Sequence, residues 1–178
     1  MSISTERLLL RQWRAEDREP FAAMNADPQV MRHFPAVLTR EVSDRVADRL
    51  AAGISERGWG FWAVELRATG EFIGFVGMEP VTDDLPFAPA VEIGWRLAAA
   101  FHGHGYATEG ARRTVRYAFE TIDLPELVSM TTTQNRESRR VMEKLGMTHD
   151  PAENFVHPRV PSDWPEKEHV LYRLSRQT

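Results

Sequence analysis

The chain has 178 residues, of which 42% are hydrophobic, and this is enough to bury one core and a ligand cleft in a single domain over residues 1–178. Lys and Arg total 22 and Asp and Glu total 26, so a net charge of −4 gives no reason to expect a nucleic-acid partner. Cysteine is absent from the sequence, which excludes disulfides, thiolate catalysis and cysteine-bound metals.

The N-terminal stretch predicts neither a signal peptide nor a membrane anchor. Its apolar run, Leu8 to Leu10, lies between Arg7 and Arg11 and is shorter than the apolar region of a signal peptide. No later window approaches the roughly 20 apolar residues of a membrane helix. We therefore expect a cytoplasmic protein without a membrane partner.

The first third of the chain is expected to form, in order, a strand at Arg7–Trp13, a helix at Ala15–Asn25 and a helix at Thr39–Glu56. Apolar residues recur four apart in the second helix, at Val42, Val46, Leu50 and Ile54, and this spacing puts one apolar stripe on its surface. Gly58 and Gly60 are expected to end it.

The rest of the chain alternates strands and helices. The expected strands are Phe61–Leu66, Phe72–Met78, Val91–Leu97, Leu127–Thr133 and His169–Leu174, and the expected helices are Tyr106–Thr121 and Arg136–Leu145. Two proline-rich segments, Asp83–Pro89 and Asn154–Pro165, are expected to be loops that contact the substrate. This order predicts an α/β fold with a mixed sheet and helices on both faces.

A glycine loop joins the strand that ends at Leu97 to the helix that begins at Tyr106. Gly103 and Gly105 let the backbone approach a ligand closely, and the free N–H groups at the helix start favour a phosphate. A tight turn without a ligand is the alternative. A dinucleotide-binding fingerprint is disfavoured, because it needs glycine where Thr108 stands, and this argues against a nicotinamide oxidoreductase.

The segment Gly103–Glu109, followed by the run from Asn135 to Gly146, resembles the GNAT acetyltransferase superfamily. Its coenzyme A motif is Gln/Arg-x-x-Gly-x-Gly/Ala, and Ala100 departs from the polar residue often found at the first position. The pair of segments is similar to the ribosomal-protein-alanine acetyltransferase branch, and Arg7–Arg11 and His169–Arg173 extend this similarity over nearly the whole chain.

The resemblance implies the acyl-CoA N-acyltransferase fold, a mostly antiparallel twisted sheet with helices on both faces. It also implies direct acetyl transfer from acetyl-CoA to a primary amine in a ternary complex, without a metal. The acceptor is expected to be a protein N-terminus or a small molecule. A catalytically silent module that only binds acyl-CoA is the alternative, and the final strand region is a candidate surface for a homodimer.

Cosubstrate binding is implied to be mostly main-chain. Pantetheine is expected to pair with a strand that splays from its neighbour at Trp95, Arg96, Leu97 and Ala98. The pyrophosphate is expected to lie in a cradle formed by Phe101, His102, Gly103, His104, Gly105, Tyr106 and Ala107. Asn135 and Ser138 are expected to contact the cosubstrate near its sulfur.

The chemistry needs a neutral amine, a polarised carbonyl and a proton for the leaving thiolate. At pH about 7.5, deprotonation costs roughly 4 kcal/mol for a lysine but under about 1 kcal/mol for an α-amine. Glu92 is the candidate base, directly or through water, with a structural carboxylate as the alternative. The N–H of Leu97 is the candidate carbonyl donor, and Ser138 the candidate proton donor, with water or Tyr106 as alternatives.

Several other side chains are weaker candidates. His102 and His104 are two residues apart but lack an evident third ligand, so a metal site is not expected. His157 and His169 are candidates for the lining of an acceptor pocket. An aromatic acceptor wall is the remaining hypothesis, with core packing expected for two of its four members, which are Phe34, Trp59, Phe61 and Trp62.

Overall fold

The computed structural model describes residues 2–81 and 84–176. These residues form one sheet with the strand order β1-β2-β3-β4-β5-β6-β9-β7, and β8 pairs with β9. The strands are β1 Ile3–Ser4, β2 Leu8–Arg11, β3 Phe61–Leu66, β4 Phe72–Pro80, β5 Val91–Leu97, β6 Glu126–Thr132, β7 Thr148–His149, β8 Phe155–Val156 and β9 Glu168–Ser175. The helices are α1 Arg18–Ala26, α2 Arg40–Arg57, α3 Tyr106–Glu120 and α4 Arg136–Lys144.

Helices cover both faces of the sheet, as predicted. On one face α1 and α2 pack Phe21 and Leu50 against the strand residues Phe61 and Phe75. On the other face α3 and α4 lie over a larger core that includes Trp62 and other fully buried strand residues. All strand pairs are antiparallel except β5 and β6, so the expected mixed and mostly antiparallel sheet is confirmed.

Helix α2 begins and ends where the sequence predicts. Thr39 caps its start by accepting a hydrogen bond from the amide of Val42, and Gly58 ends it in the left-handed conformation at φ 78°. Its buried stripe differs at the N-terminal half, because Ser43 is buried there while Val42 is only half-buried. The reason is a buried hydrogen bond of 2.9 Å between the side chains of Asn25 and Ser43, which turns this side of α2 towards α1.

Other differences concern short elements. The first expected strand is β2 together with the two-residue β1, and the helix expected from Ala15 begins as a 3-10 turn at Ala15–Asp17. The loop expected at Asn154–Pro165 contains β8, which pairs with β9. Asp83 lies outside the described residues, and the remainder of its expected loop forms turns. None of the described helices is long and apolar enough to span a membrane.

Candidate active site

The sheet opens between β5 and β6. Within residues 2–81 and 84–176, these parallel strands share one paired position, Glu92 with Val128. Beyond it, β5 stays paired with β4 as far as Leu97, and β6 stays paired with β9 as far as Thr132. The two strands therefore separate towards the end of β5 that leads into the glycine loop, as expected for the segment from Trp95 onwards.

The hydrogen bonds of β5 show which main-chain groups face this opening. The amide of Ala98 donates to the carbonyl of Ile73 in β4 at 2.9 Å. Because antiparallel pairs alternate between bonded and non-bonded positions, Arg96 also turns its N–H and C=O to β4. Trp95 and Leu97 then direct theirs towards β6. Of the four residues expected to pair with pantetheine, Trp95 and Leu97 therefore have main-chain groups facing the opening, and Arg96 and Ala98 have theirs facing β4.

The glycine loop presents a row of free amides. Phe101 and His102 donate to Ala98 and Ala99 within a 3-10 turn, and the first amide bonded inside the following helix is that of Glu109. In the described part of the chain, the amides of residues 103–108 donate no hydrogen bond. Gly103 and Gly105 have φ of +78° and +81°, so the loop combines left-handed residues with a helix start, a backbone arrangement that favours anion binding.

An ion pair braces this loop from the first strands, and sequence reasoning did not find it. The Glu109 carboxylate accepts hydrogen bonds from the Arg7 side chain and amide and from the Thr5 hydroxyl, at 2.6 to 2.9 Å. Arg7 also donates to the carbonyl of His104 at 3.1 Å. Burial disfavours the charge on Glu109, but the bonds from Thr5 and Arg7 outweigh this and lower its pKa. The sequence feature that could have indicated this ion pair is Arg7, which begins the segment Arg7–Arg11 that resembles the family.

Asn135 and Ser138 lie together at the start of α4. The Asn135 side chain accepts from the Ser138 amide at 3.1 Å and donates to the Thr131 hydroxyl at 2.9 Å, so it caps the helix. The Ser138 hydroxyl makes no hydrogen bond to any described residue. Both residues are on the face of the sheet that carries α3 and α4.

Glu92 lies on the opposite face. Its cross-strand partner is Glu79, and both share a face with Phe61 and Phe75, which pack against α1 and α2. Burial, and next the repulsion from Glu79, raise the pKa of Glu92 to about 8, although Arg49 and Arg159 act in the other direction. No described side chain hydrogen-bonds the Glu92 carboxylate, which argues against its structural alternative.

His102 and His104, the two histidines of the glycine loop, bond main-chain carbonyls. His102 Nε2 donates to the Leu97 carbonyl at 2.8 Å and His104 Nδ1 donates to the carbonyl of His102 at 2.9 Å, so the two rings do not converge. The coenzyme A motif Gln/Arg-x-x-Gly-x-Gly/Ala can also be aligned with Gly105 and Ala107 as its two small residues. This alignment puts His102 at the first position, where Gln or Arg often stands.

The aromatic wall divides between core and surface. Phe61 and Trp62 are buried core residues, whereas Phe34 is 41% exposed in the loop between α1 and α2. His33 of the same loop bonds Glu166 at 2.7 Å. His157 and His169 lie with their ring centroids 5.0 Å apart and their planes tilted by 49°, and burial lowers the pKa of both.

These features fit an acyl carrier with a diphosphate. The free amides of residues 103–108 are donors for phosphate oxygens, and Gly103 has open space where a side chain would stand. The opening beside Trp95 and Leu97 offers strand-like pairing to an extended chain. In the described residues, no group of three or more His, Asp or Glu side chains is placed to hold a metal ion.

Fold and site together put the chain in the class of acyltransferases. The family model described as the acetyltransferase (GNAT) domain matches residues 7–148, which is most of the chain. The chain therefore belongs to the GNAT acetyltransferase family.

Named relatives are similar to it over almost its full length. One is the FsC-acetyl coenzyme A-N(2)-transacetylase of Aspergillus fumigatus, 35% identical over 99% of this chain and 77% of that protein. An acetyltransferase from Agrobacterium tumefaciens superposes with a TM-score of 0.79 at 32% identity, covering 99% of this chain and 95% of the other. A ribosomal L7/L12 alpha-N-protein acetyltransferase in complex with coenzyme A, 15% identical, shares the fold with a TM-score of 0.76 over 98% of both chains.

Proposed function

We propose that this protein is an N-acetyltransferase that transfers the acetyl group of acetyl-CoA directly to a primary amine in a ternary complex. The observation that carries this proposal is the opening between β5 and β6, which begins beyond Glu92 and leads to the free amides of residues 103–108. The main-chain groups that could bind an acyl carrier and the ionisable side chain of Glu92 therefore lie at the same opening in the sheet.

The cosubstrate site is made of the loop, the strand edge and the start of α4. Residues 103–107 offer their amides to the pyrophosphate, and Phe101 and His102 shape the turn before them. Trp95 and Leu97 offer main-chain groups to pantetheine. Asn135 and Ser138 lie on the face of the sheet that carries α3 and α4. Arg7 and Glu109 hold the loop in place.

Glu92 is the proposed general base. Its side chain is on the α1–α2 face, where the amine enters, and a pKa of about 8 lets it accept a proton at physiological pH, directly or through water. When bound, acetyl-CoA supplies a thioester carbon to which the amine nitrogen bonds while the carbon–sulfur bond breaks. The amine proton goes to Glu92.

Leaving-group protonation is assigned to Ser138, whose hydroxyl is free of protein partners among the described residues. The proton it gives to the thiolate balances the proton taken at Glu92. The amide of Leu97 is the proposed donor to the carbonyl oxygen, and the amide of Trp95 points the same way. A silent binding module would need neither Glu92 nor its raised pKa.

The acceptor is proposed to be an α-type amine, which needs little help to lose its proton. The names of two similar proteins support this, one referring to an N(2) nitrogen and one to the alpha nitrogen of a ribosomal protein. The proposal includes a place in the ribosomal-protein-alanine acetyltransferase branch, and a cytoplasmic location, where acetyl-CoA is supplied.

Calorimetry with coenzyme A, followed by acetyl-CoA consumption against N-terminal peptides, amino acids and polyamines, tests the proposal. We expect binding of coenzyme A and turnover with at least one amine. Binding without turnover on any amine would support the silent module, and absence of coenzyme A binding would refute the proposal. Coenzyme A binding by the wild-type protein and an E92Q variant, compared with their turnover at saturating acetyl-CoA, separates the binding step from the chemistry.

A further inference from the structure

Arg96 carries a charge that the described protein does not neutralise. Its side chain is on the α1–α2 face with Glu92, because the two residues are four apart on β5. One guanidinium N–H group donates to the Asn25 side chain at 2.8 Å, and the guanidinium carbon lies 4.3 Å from the ring centroid of Phe34 and 5.4 Å from that of Phe75. Its Nε is buried without a hydrogen-bond partner.

Arg11, which is more deeply buried than Arg96, shows what full pairing of an arginine looks like. Arg11 is 5% exposed and bonds the carboxylates of Asp17 and Glu65 at 2.7 to 2.8 Å. Arg96 has no carboxylate contact in residues 2–81 and 84–176, and burial lowers its pKa to about 10. A desolvated cation without an anion is costly, so an anion from outside the chain would relieve a real penalty.

We propose that Arg96 binds a carboxylate of the acceptor, so that the substrates are amines that also carry a carboxylate group. This inference rests on the proposed function and names the class of its acceptor. Phe34, which is 41% exposed, covers the guanidinium from the α1–α2 loop, and Arg96 keeps part of its own surface accessible. An aromatic ring and a guanidinium with spare donors form a suitable seat for a planar carboxylate.

Charge along β5 matches such an acceptor. Glu92 provides the end that takes up the amine, beside Glu79, which is paired with Arg49 at 2.6 Å, and Arg96 provides the end that attracts an acid. Between them stand Gly94 and its partner Gly77, which carry no side chains, so the Phe61 ring lies close over Gly94 and separates the two charged ends. A zwitterionic or amino-acid-like acceptor therefore has one preferred direction along the strand.

The test uses two probes that contain no amine, so that differences in amine pKa do not enter. N-acetylglycine presents a carboxylate beside an acetylated nitrogen, and N-acetylglycinamide is its uncharged counterpart. Both are titrated into the protein by calorimetry or by protein NMR, with and without coenzyme A. We expect the wild-type protein to bind the acid at least about tenfold more tightly than the amide.

Two variants remove this preference in different ways. R96M removes the charge. N25D supplies an internal carboxylate to Arg96, and its second oxygen can accept from the Ser43 hydroxyl that the Asn25 amide now contacts at 2.9 Å, so the packing is kept. R57M is the matched control, because Arg57 lies 5.4 Å from the Trp59 ring centroid and has no ion pair in the described chain.

The acid-over-amide preference should persist in R57M and fall to near one in both R96M and N25D. Equal binding of the two probes by the wild-type protein, including binding of neither, would overturn the inference, as would a preference that survives in N25D. Turnover of glycinamide without any carboxylate preference would leave the proposed function intact while the inference falls. Failure to bind coenzyme A would instead remove the proposed function, whatever the two probes do.

Discussion

Replacing Glu92 with glutamine should abolish most activity and stabilise the protein at the same time. In the folded protein, burial and the facing Glu79 raise the pKa of Glu92 from 4.5 to about 8. One pKa unit equals 1.36 kcal/mol, so ionising Glu92 in the fold is disfavoured by up to about 5 kcal/mol relative to the unfolded chain. Glutamine has the same shape and cannot ionise.

The sign of the pH dependence follows from this shift. The folded state holds the Glu92 proton more tightly than the unfolded state, so its contribution to stability is complete below about pH 4.5 and is lost as pH rises to about 8. Between pH 5 and pH 8, the wild-type protein should lose about 3 to 4 kcal/mol of unfolding free energy relative to E92Q. The two proteins should therefore be closest in stability at pH 5.

Urea unfolding at pH 5 and pH 8 measures this difference, with E71Q as the control. Glu71 is an exposed carboxylate at the turn between β3 and β4 and forms no ion pair with a described residue. The same preparations give kcat/KM against pH, where the wild-type rise near pH 8 should contain the ionisation of Glu92 in addition to that of the acceptor amine, and the E92Q rise should contain only that of the amine.

Either of two results would refute this reasoning. If E92Q were less stable than the wild-type protein at pH 8, Glu92 would be a carboxylate that the fold needs ionised. If the pH–rate profile of E92Q kept the same rise, the base would be another group.

Three further predictions concern neighbouring parts of the site. E79Q removes the like charge facing Glu92, so the pKa of Glu92 should fall and the kcat/KM rise should move to lower pH. S138A should lower kcat by about a hundredfold or more while changing urea stability by less than about 0.5 kcal/mol, because its hydroxyl has no partner in the described chain; an unchanged kcat would assign the proton to another donor. G105A places alanine at φ +81°, which costs about 1–2 kcal/mol, and should weaken coenzyme A binding in calorimetry. G146A at φ +82° provides the same strain away from the loop and should leave that affinity unchanged.

The long elements were predictable because local chemistry marks their ends. β3 and β5 have the bounds that the sequence predicts, since turn residues flank an aromatic and β-branched run in each. Thr39 and Gly58 likewise mark α2. The two-residue strands β7 and β8 carry no such signal. Each is a strand only because it pairs with β9, and no local sequence pattern predicts that pairing.

The sequence predicted which segments form the site, but not which way their main-chain groups point or which distant side chains they contact. Gly103, Gly105 and Glu92 stand out in the sequence, since glycine spacing and a lone strand carboxylate are visible there. Which way the main chain of Arg96 points depends on the register of β5 against β4, and no local pattern fixes that register. The partner of Arg7 is likewise about a hundred residues away, at Glu109.

Recognition through the main chain has a consequence for how this protein selects substrates. The amides of Trp95, Leu97 and the glycine loop are present whatever side chains those positions carry, so the cosubstrate site depends mainly on backbone conformation. In the proposed function, selection of the acceptor depends instead on side chains of the α1–α2 face, such as Glu92 and Arg96. Because the sheet separates these two sets, a substitution at Arg96 can change the preferred amine without altering the surface that holds acetyl-CoA. Acceptor preference and acetyl-CoA affinity should therefore vary independently in variants of this chain.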